Sequence, residues 1–201
     1  MTVATHSHHE LTDPPRSEHG VLPLAPIEKP KGLFLRLLYW ITRRRYGITP
    51  TAFRVVYGRS PALAFASLGL LTVLDRFLTL DRELRFLLQV GTSMVAGCTF
   101  CADIALAEAV RARIGKERFE GLLDPEASPH LGEKERAVLA YAAAVEKDLH
   151  VEDAVFARLR RSFSEREVLE VVWIVAVERY FHSMALPLRI GSDHLAAEPL
   201  E

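Results

Sequence analysis

The feature that most constrains the fold is a helical spacing of apolar residues that continues from residue 33 to residue 186. Leu33, Leu37, Leu38 and Ile41 form the first apolar stripe, at the spacing of one helix face. No segment alternates polar and apolar residues as a half-exposed strand would, and there is no Gly-rich phosphate loop. The sequence therefore predicts an all-α protein.

Capping signals divide this pattern into separate helices. Ser60 is placed to cap a helix that has Pro61 at its first position. Gly115 ends a later helix, and Ser164 with Glu167 forms a capping box. The predicted helices span residues 33–47, 61–78, 81–96, 98–114, 133–147, 152–163 and 165–186, with a loop near 124–130. Residues 60–74 and 168–177 are so apolar that we expect them in the core or between subunits.

Composition limits the domain organisation and the partners. The chain has 201 residues, a net charge of −1 and 49% hydrophobic residues, which suits one domain with a sizeable core. We expect residues 1–30 to be a disordered or loosely draped tail whose deletion changes little, and residues 31–201 to form a single domain. The balanced charge gives no reason to expect a nucleic acid partner.

The apolar stretches and the first residues of the chain indicate the cellular location of the protein. The longest uncharged stretches, residues 60–74 and 86–102 at 15 and 17 residues, are shorter than the ~20 that a membrane span needs. The first residues lack the basic and apolar regions of a secretion signal. We therefore expect a cytoplasmic protein without a membrane partner, where two cysteines rarely form a structural disulfide.

The two cysteines of the chain, Cys98 and Cys101, are three positions apart at the predicted start of a helix. Residues at i and i+3 share a helix face, so their sulfur atoms can meet across the first turn. The free N–H groups of that turn lower a thiol pKa and increase the fraction of thiolate. The pair is therefore interpreted as a redox-active dithiol that forms an intramolecular disulfide when oxidised.

Other interpretations of the pair remain open. A zinc site would need histidines to complete it, and His130, His150, His182 and His194 show no paired spacing. The cysteines can also be small, inert core residues. A thioredoxin fold uses the same motif but needs strands, which the sequence does not predict.

The residues around these cysteines resemble a known superfamily. Residues 82–84, 97–104, 131–137, 140–142 and 177–182 are similar to the carboxymuconolactone decarboxylase and alkylhydroperoxidase D-like superfamily, over roughly residues 60–195. Residues 31–51 resemble an extension of some longer members. The resemblance implies a helical bundle that assembles as a homo-oligomer, and its CxxC branch contains peroxidases and disulfide reductases. No metal, haem or nucleotide cofactor is implied.

The proton relay usual in alkylhydroperoxidase D-like proteins is missing. The family pattern has a glutamate and two histidines where this sequence has Phe86, Phe100 and Ala105. Only Cys98 and Cys101 therefore transfer directly from the resemblance.

Three other side chains are candidates to replace that relay. Glu178 lies beside the apolar run 171–177, where burial would raise its pKa and suit it to general acid or base work. His182 follows one turn later and can hydrogen-bond it. Asp103, in the first turn after the cysteines, either takes part or complements the helix dipole. For Glu178 and His182 the alternative is a purely structural pair.

The leading functional hypothesis is a thiol-dependent peroxidase that acts on small hydroperoxides. One thiolate, assigned to Cys101, attacks the peroxide, and Cys98 condenses with the resulting sulfenic acid. A protein or small-molecule dithiol then reduces the disulfide. The alternatives are a dithiol–disulfide reductase or redox adaptor, and a non-catalytic helical protein with inert cysteines.

Overall fold

The computed structural model describes residues 16–17 and 20–196, and within them the protein is built from eight α-helices. The helices are α1 (Leu33–Tyr46), α2 (Thr51–Val55), α3 (Pro61–Arg76), α4 (Arg82–Val95), α5 (Thr99–Arg111), α6 (Glu133–Asp148), α7 (Asp153–Ser162) and α8 (Glu165–Ala185). Strands β1 (Arg16–Ser17) and β2 (Gly20–Val21) form a short antiparallel hairpin. The predicted all-α fold is confirmed, since this hairpin is too short to show an alternating pattern.

The predicted caps start the helices where expected. The Ser60 side chain accepts a hydrogen bond from the Leu63 N–H at 3.3 Å, and Ser164 and Glu167 form the capping box of α8. The one-turn helix α2 was not predicted, because a segment of 5 residues is too short to show a helical period. Helix α5 ends at Arg111, one turn earlier than the sequence indicated.

Helix α4 lies at the centre of the bundle and packs against α5, α6 and α8. Its Leu87 and Leu88 are fully buried, together with Val138 of α6 and Ile174 of α8. Gly91 of α4 faces the Leu139 side chain so closely that a Cβ would lie 2.3 Å from a Leu139 methyl carbon. This tight α4–α6 contact holds the end of α4 in place, directly before the cysteines.

Residues 20–30, which precede α1, pack against the bundle, whereas the sequence predicted a disordered or loosely draped tail. Leu22 is buried and shares an apolar cluster with Cys98, Cys101 and Ile190. The Ile27 N–H donates to the Arg54 carbonyl oxygen at 2.9 Å. Residues 20–30 therefore contact the bundle, while the domain boundary at residue 30 stays a prediction. The sequence did not indicate these contacts because a single anchoring leucine produces no periodic pattern. Residues 1–15 and 18–19 of the predicted tail lie outside the described residues.

The two most apolar segments, residues 168–177 and 60–74, differ in how far they are buried. In α8, Val168, Val171, Ile174 and Val175 are buried as expected. In α3, by contrast, Phe65 is 74% exposed on the single chain. The burial predicted for residues 60–74 is thus not provided by one chain alone.

Across the described residues, no helix combines the length and the apolar character needed to cross a membrane.

Candidate thiol redox site

The turn between α4 and α5 positions the two cysteines. Gly97 takes a positive φ of 71° there, a conformation that glycine adopts without strain. The Cys98 N–H then donates to the Ser93 carbonyl oxygen at 3.0 Å, which ties the turn back to α4. Cys98 caps α5, and its Sγ accepts from the Cys101 N–H at 3.3 Å. The α-carbons of the pair lie 5.3 Å apart and their sulfur atoms form a disulfide, as the spacing predicted.

The two sulfur atoms differ in what they face. Cys98 is 1% exposed and Cys101 is 4% exposed, so neither lies on the surface of the chain. Cys101 lines a cavity of about 430 Å³, whereas Cys98 is not among the lining residues. A molecule inside the cavity therefore meets Cys101 first.

This cavity has mainly apolar walls, and charged side chains of α1, α3, α4, α5 and α8 also line it. Its apolar and aromatic walls come from α2, α3, α4, α5, α8 and the segment after α8. These walls include Ala52, Phe53, Val56, Leu68, Phe86, Phe100, Ile104, Phe181, Met184 and Ile190. The buried Glu178 lines the cavity together with Cys101.

Glu178 and His182 form a buried polar group with Ser93 next to the disulfide. The Ser93 Oγ lies 3.5 Å from the Glu178 Oε2 and 3.3 Å from the His182 Nε2. Burial raises the pKa of Glu178 to about 8, with a further rise from the nearby Glu146 carboxylate. Burial lowers the pKa of His182 to about 4. At neutral pH the pair is therefore a carboxylic acid beside an uncharged imidazole.

A second carboxyl group approaches His182 from α6. The Glu146 Oε1 lies 3.8 Å from the His182 Nδ1, and neither of these buried atoms has a hydrogen-bond partner among the residues that the structure describes. The Arg179 guanidinium donates to the other Glu146 oxygen at 3.0 Å. Desolvation raises the pKa of Glu146 and outweighs the opposing effect of Arg179. Sequence reasoning missed Ser93 and Glu146, because only the packing of α4 and α6 against α8 brings them to this site.

The same group supplies the donor set that a metal ion would need. Ligand atoms of Cys98, Cys101 and His182 all lie within 4.8 Å of one another. The residues fit a Cys₂His set once the cysteines are reduced, because the imidazole is uncharged and the sulfur atoms are buried. No paired spacing in the sequence indicated this set, since His182 comes from a helix more than 80 positions away.

Asp103 does not join this group but holds the segment after α8. Its carboxylate accepts from the backbone N–H groups of Asp193, Leu195 and Ala196 at 3.1, 2.9 and 3.0 Å. The Asp193 side chain in turn accepts from the Thr51 N–H at 2.6 Å, at the start of α2. Asp103 thus anchors this segment, a contact that sequence spacing cannot reveal, while its catalytic or helix-dipole role stays a prediction.

The fold and the buried pair define a class: all-α proteins with a CxxC disulfide at the start of a bundle helix. The model of the carboxymuconolactone decarboxylase family matches residues 73–144, which run from the end of α3 through most of α6. That match confirms the predicted resemblance to this superfamily. A search of the curated proteins found no match to this sequence.

Solved structures share the fold. The debrominase Bmp8 superposes with a TM-score of 0.75 at 22% identity, covering 87% of this chain and 94% of the other. An uncharacterized peroxidase-related protein from Silicibacter sp. TM1040 gives a TM-score of 0.76 at 18% identity, covering 94% and 98%. An uncharacterized peroxidase-related protein from Ralstonia eutropha JMP134, described as an alkylhydroperoxidase AhpD core, gives 0.68 at 20% identity, covering 81% and 87%.

Proposed function

We propose that the protein is a thiol-dependent peroxidase that reduces an organic hydroperoxide inside the cavity. The observation that carries this proposal is that Cys101 of the redox pair and the protonated Glu178 line one mainly apolar cavity. A nucleophilic sulfur and a proton donor thus meet the same bound molecule. The peroxidase-related structures that share the fold are consistent with this function.

The reaction uses both cysteines in turn. The Cys101 thiolate attacks one peroxide oxygen, the O–O bond breaks, and the departing alkoxide takes a proton from Glu178 and leaves as an alcohol. Cys101 is now a sulfenic acid. The Cys98 thiol condenses with it, releasing water and forming the disulfide. A dithiol reductant then reduces the disulfide by exchange, is itself oxidised, and restores both thiols.

The burial of the cysteines supports this function over the alternative of a protein disulfide reductase. A reductase must bring its sulfur into contact with the disulfide of another protein. Cys98 and Cys101 are almost inaccessible on this chain, and the cavity that reaches Cys101 has small-molecule dimensions. A small hydroperoxide and a small dithiol therefore fit the site better than a protein partner.

A halogenated aromatic compound is a second candidate substrate. The debrominase Bmp8 shares the fold, and a cysteine-to-alanine variant of it was solved in complex with 2,3,4-tribromopyrrole. The aromatic side chains of Phe53, Phe86 and Phe100 line the cavity here and suit a flat ring. In this reaction Cys101 would take the halogen, Glu178 would protonate the ring carbon, and Cys98 would displace halide as the disulfide forms.

The test measures thiols and mass in the reduced protein after one equivalent of an organic hydroperoxide. We expect the wild type to lose both thiols and two hydrogens. In Cys98→Ala the sulfenic acid of Cys101 should persist and react with dimedone, and Cys101→Ala should consume no peroxide. Thermal melts check that both variants fold.

Three other outcomes are informative. If the results of the two variants exchange, Cys98 is the residue that reacts with peroxide. If 2,3,4-tribromopyrrole, but no hydroperoxide, oxidises the thiols, the dehalogenation reaction replaces the peroxidase. If neither variant changes the consumption of either substrate, the cysteines are inert and the proposal is wrong.

A further inference from the structure

The charged end of the cavity is not used by the thiol chemistry. Arg45, Arg76, Arg82 and Arg85 line it, against the carboxylates of Asp75 and Glu108. These residues come from α1, the end of α3, the start of α4 and the last turn of α5.

One of these arginines is already neutralised. Arg45 donates to both carboxylate oxygens of Glu108 in a bidentate ion pair. Arg76 and Arg82, by contrast, have no carboxylate partner among the residues that the structure describes, and both are exposed. The cavity end therefore keeps a positive excess even when Asp75 is counted.

Arg82 and Arg85 are held above the apolar wall. The Arg82 guanidinium lies 5.7 Å from the centre of the Phe86 ring, a cation–π contact with a cavity-lining side chain. Arg85 donates to the Leu74 and Asp75 carbonyl oxygens at 2.5 and 3.1 Å. Its Nε is buried and has no hydrogen-bond partner within residues 20–196. An N–H group of this kind favours an acceptor brought by a ligand.

The length of α4 gives the distance between these arginines and the redox group. Arg82, Arg85, Phe86 and Gln89 of α4 line the cavity, and Ser93 contacts Glu178. At 1.5 Å per residue, Arg85 and Ser93 are separated by about 12 Å along the helix axis. An apolar chain of that length would connect an anionic group at the arginines with a reacting group at Cys101.

We propose that the substrate is an amphipathic hydroperoxide that carries a carboxylate, with the carboxylate bound by Arg76, Arg82 and Arg85 and the apolar chain in the cavity. The proposal rests on the peroxidase function proposed above and names its substrate class. Guanidinium groups suit this ligand because they bind carboxylates in a bidentate geometry.

Binding to the oxidised protein tests the anion site without any turnover. Calorimetry would compare decanoate with decanol for the wild type, the double variant Arg76→Gln/Arg82→Gln, and the control Arg160→Gln, which changes an exposed arginine of α7. We expect decanoate to bind the double variant about five- to tenfold more weakly than the wild type. Decanol affinity and the control should not change. Equal loss in the control, no loss in the double variant, or no preference for decanoate overturns the proposal.

Measurements of turnover distinguish a wrong carboxylate proposal from a wrong peroxidase proposal. The reduced wild type should oxidise faster with a fatty acid hydroperoxide than with its methyl ester, and the double variant should lose that preference. If decanoate binds as expected but no hydroperoxide is consumed, the peroxidase proposal fails and the anion site remains. If the acid and its ester react equally in both proteins, the peroxidase remains and the carboxylate proposal is wrong.

Discussion

Burial sets the protonation of the ionisable side chains next to the disulfide. Glu178 and His182 are both nearly inaccessible, and desolvation is the largest cause of each pKa shift. Their shifts are opposite in sign because burial favours the uncharged form of either group. The sequence indicated this for Glu178, since its neighbours are apolar.

The raised pKa of Glu178 predicts a pH dependence of stability. The folded protein keeps the proton up to a pH of about 8, whereas the unfolded chain releases it near 4.5. The unfolded state therefore binds fewer protons in this window, and stability falls as the pH rises from about 4.5 to about 8.

The variant Glu178→Gln removes this contribution. We expect its melting temperature to increase relative to the wild type between about pH 5 and pH 8, because glutamine has no proton to lose. The control Glu120→Gln changes an exposed glutamate outside the redox site and should follow the wild type. A constant difference between Glu178→Gln and the wild type over this pH range would contradict the assignment.

At the scale of the elements, the helices were more predictable than the site they build. Caps such as Ser60 and Ser164 are local signals, and they mark the starts of α3 and α8. The Cys98–Cys101 contact is local as well. Ser93 and Glu146 join the site only through packing between helices distant in sequence, and a single sequence contains no signal for that contact.

Because α4 and α6 lie so close together at Gly91, we predict that a larger side chain at this position destabilises the protein. Gly91→Ala would place a methyl group against the confined Leu139 side chain, and we expect it to reduce the free energy of unfolding by about 1–3 kcal/mol. Gly69→Ala in α3 is the matched control for the single chain, since a methyl group at that position would have no atom of the described residues within 4 Å. That variant should be neutral or up to about 1 kcal/mol more stable. Urea titrations measure both, and equal effects would contradict the tight contact.

At the scale of the whole molecule, large apolar side chains remain outside the core. In α1, Leu33 is 83% exposed and Trp40 is 59% exposed. Phe65 of α3 is 74% exposed, and Phe77, directly after α3, is 66% exposed. From these exposed side chains on α1 and α3 we predict an interaction surface, because large apolar area left in water favours association. The homo-oligomer that the sequence resemblance implies would cover it.

The expected association depends on Phe65. Light scattering after size exclusion should show an oligomer for the wild type, and Phe65→Asp should shift the protein toward the monomer. The control Leu123→Asp introduces the same charge at an exposed leucine in the loop before α6. A monomeric wild type, or equal dissociation of both variants, would contradict an α3 interface.

The packing of Leu22 against the cysteine cluster has a kinetic consequence. Because Leu22 belongs to the buried cluster of the two cysteines, we expect residues 20–30 to shield the thiols from one side and to select reagents by size. A chain that begins at residue 31 should lose this selection, and its reduced thiols should be alkylated much faster by a bulky maleimide but little faster by iodoacetamide. Leu22→Ala in the full chain should give an intermediate ratio of the two rates. Unchanged ratios would show that small and large reagents both enter through the cavity, and that the N-terminal segment has no part in choosing which reductants reach the thiols.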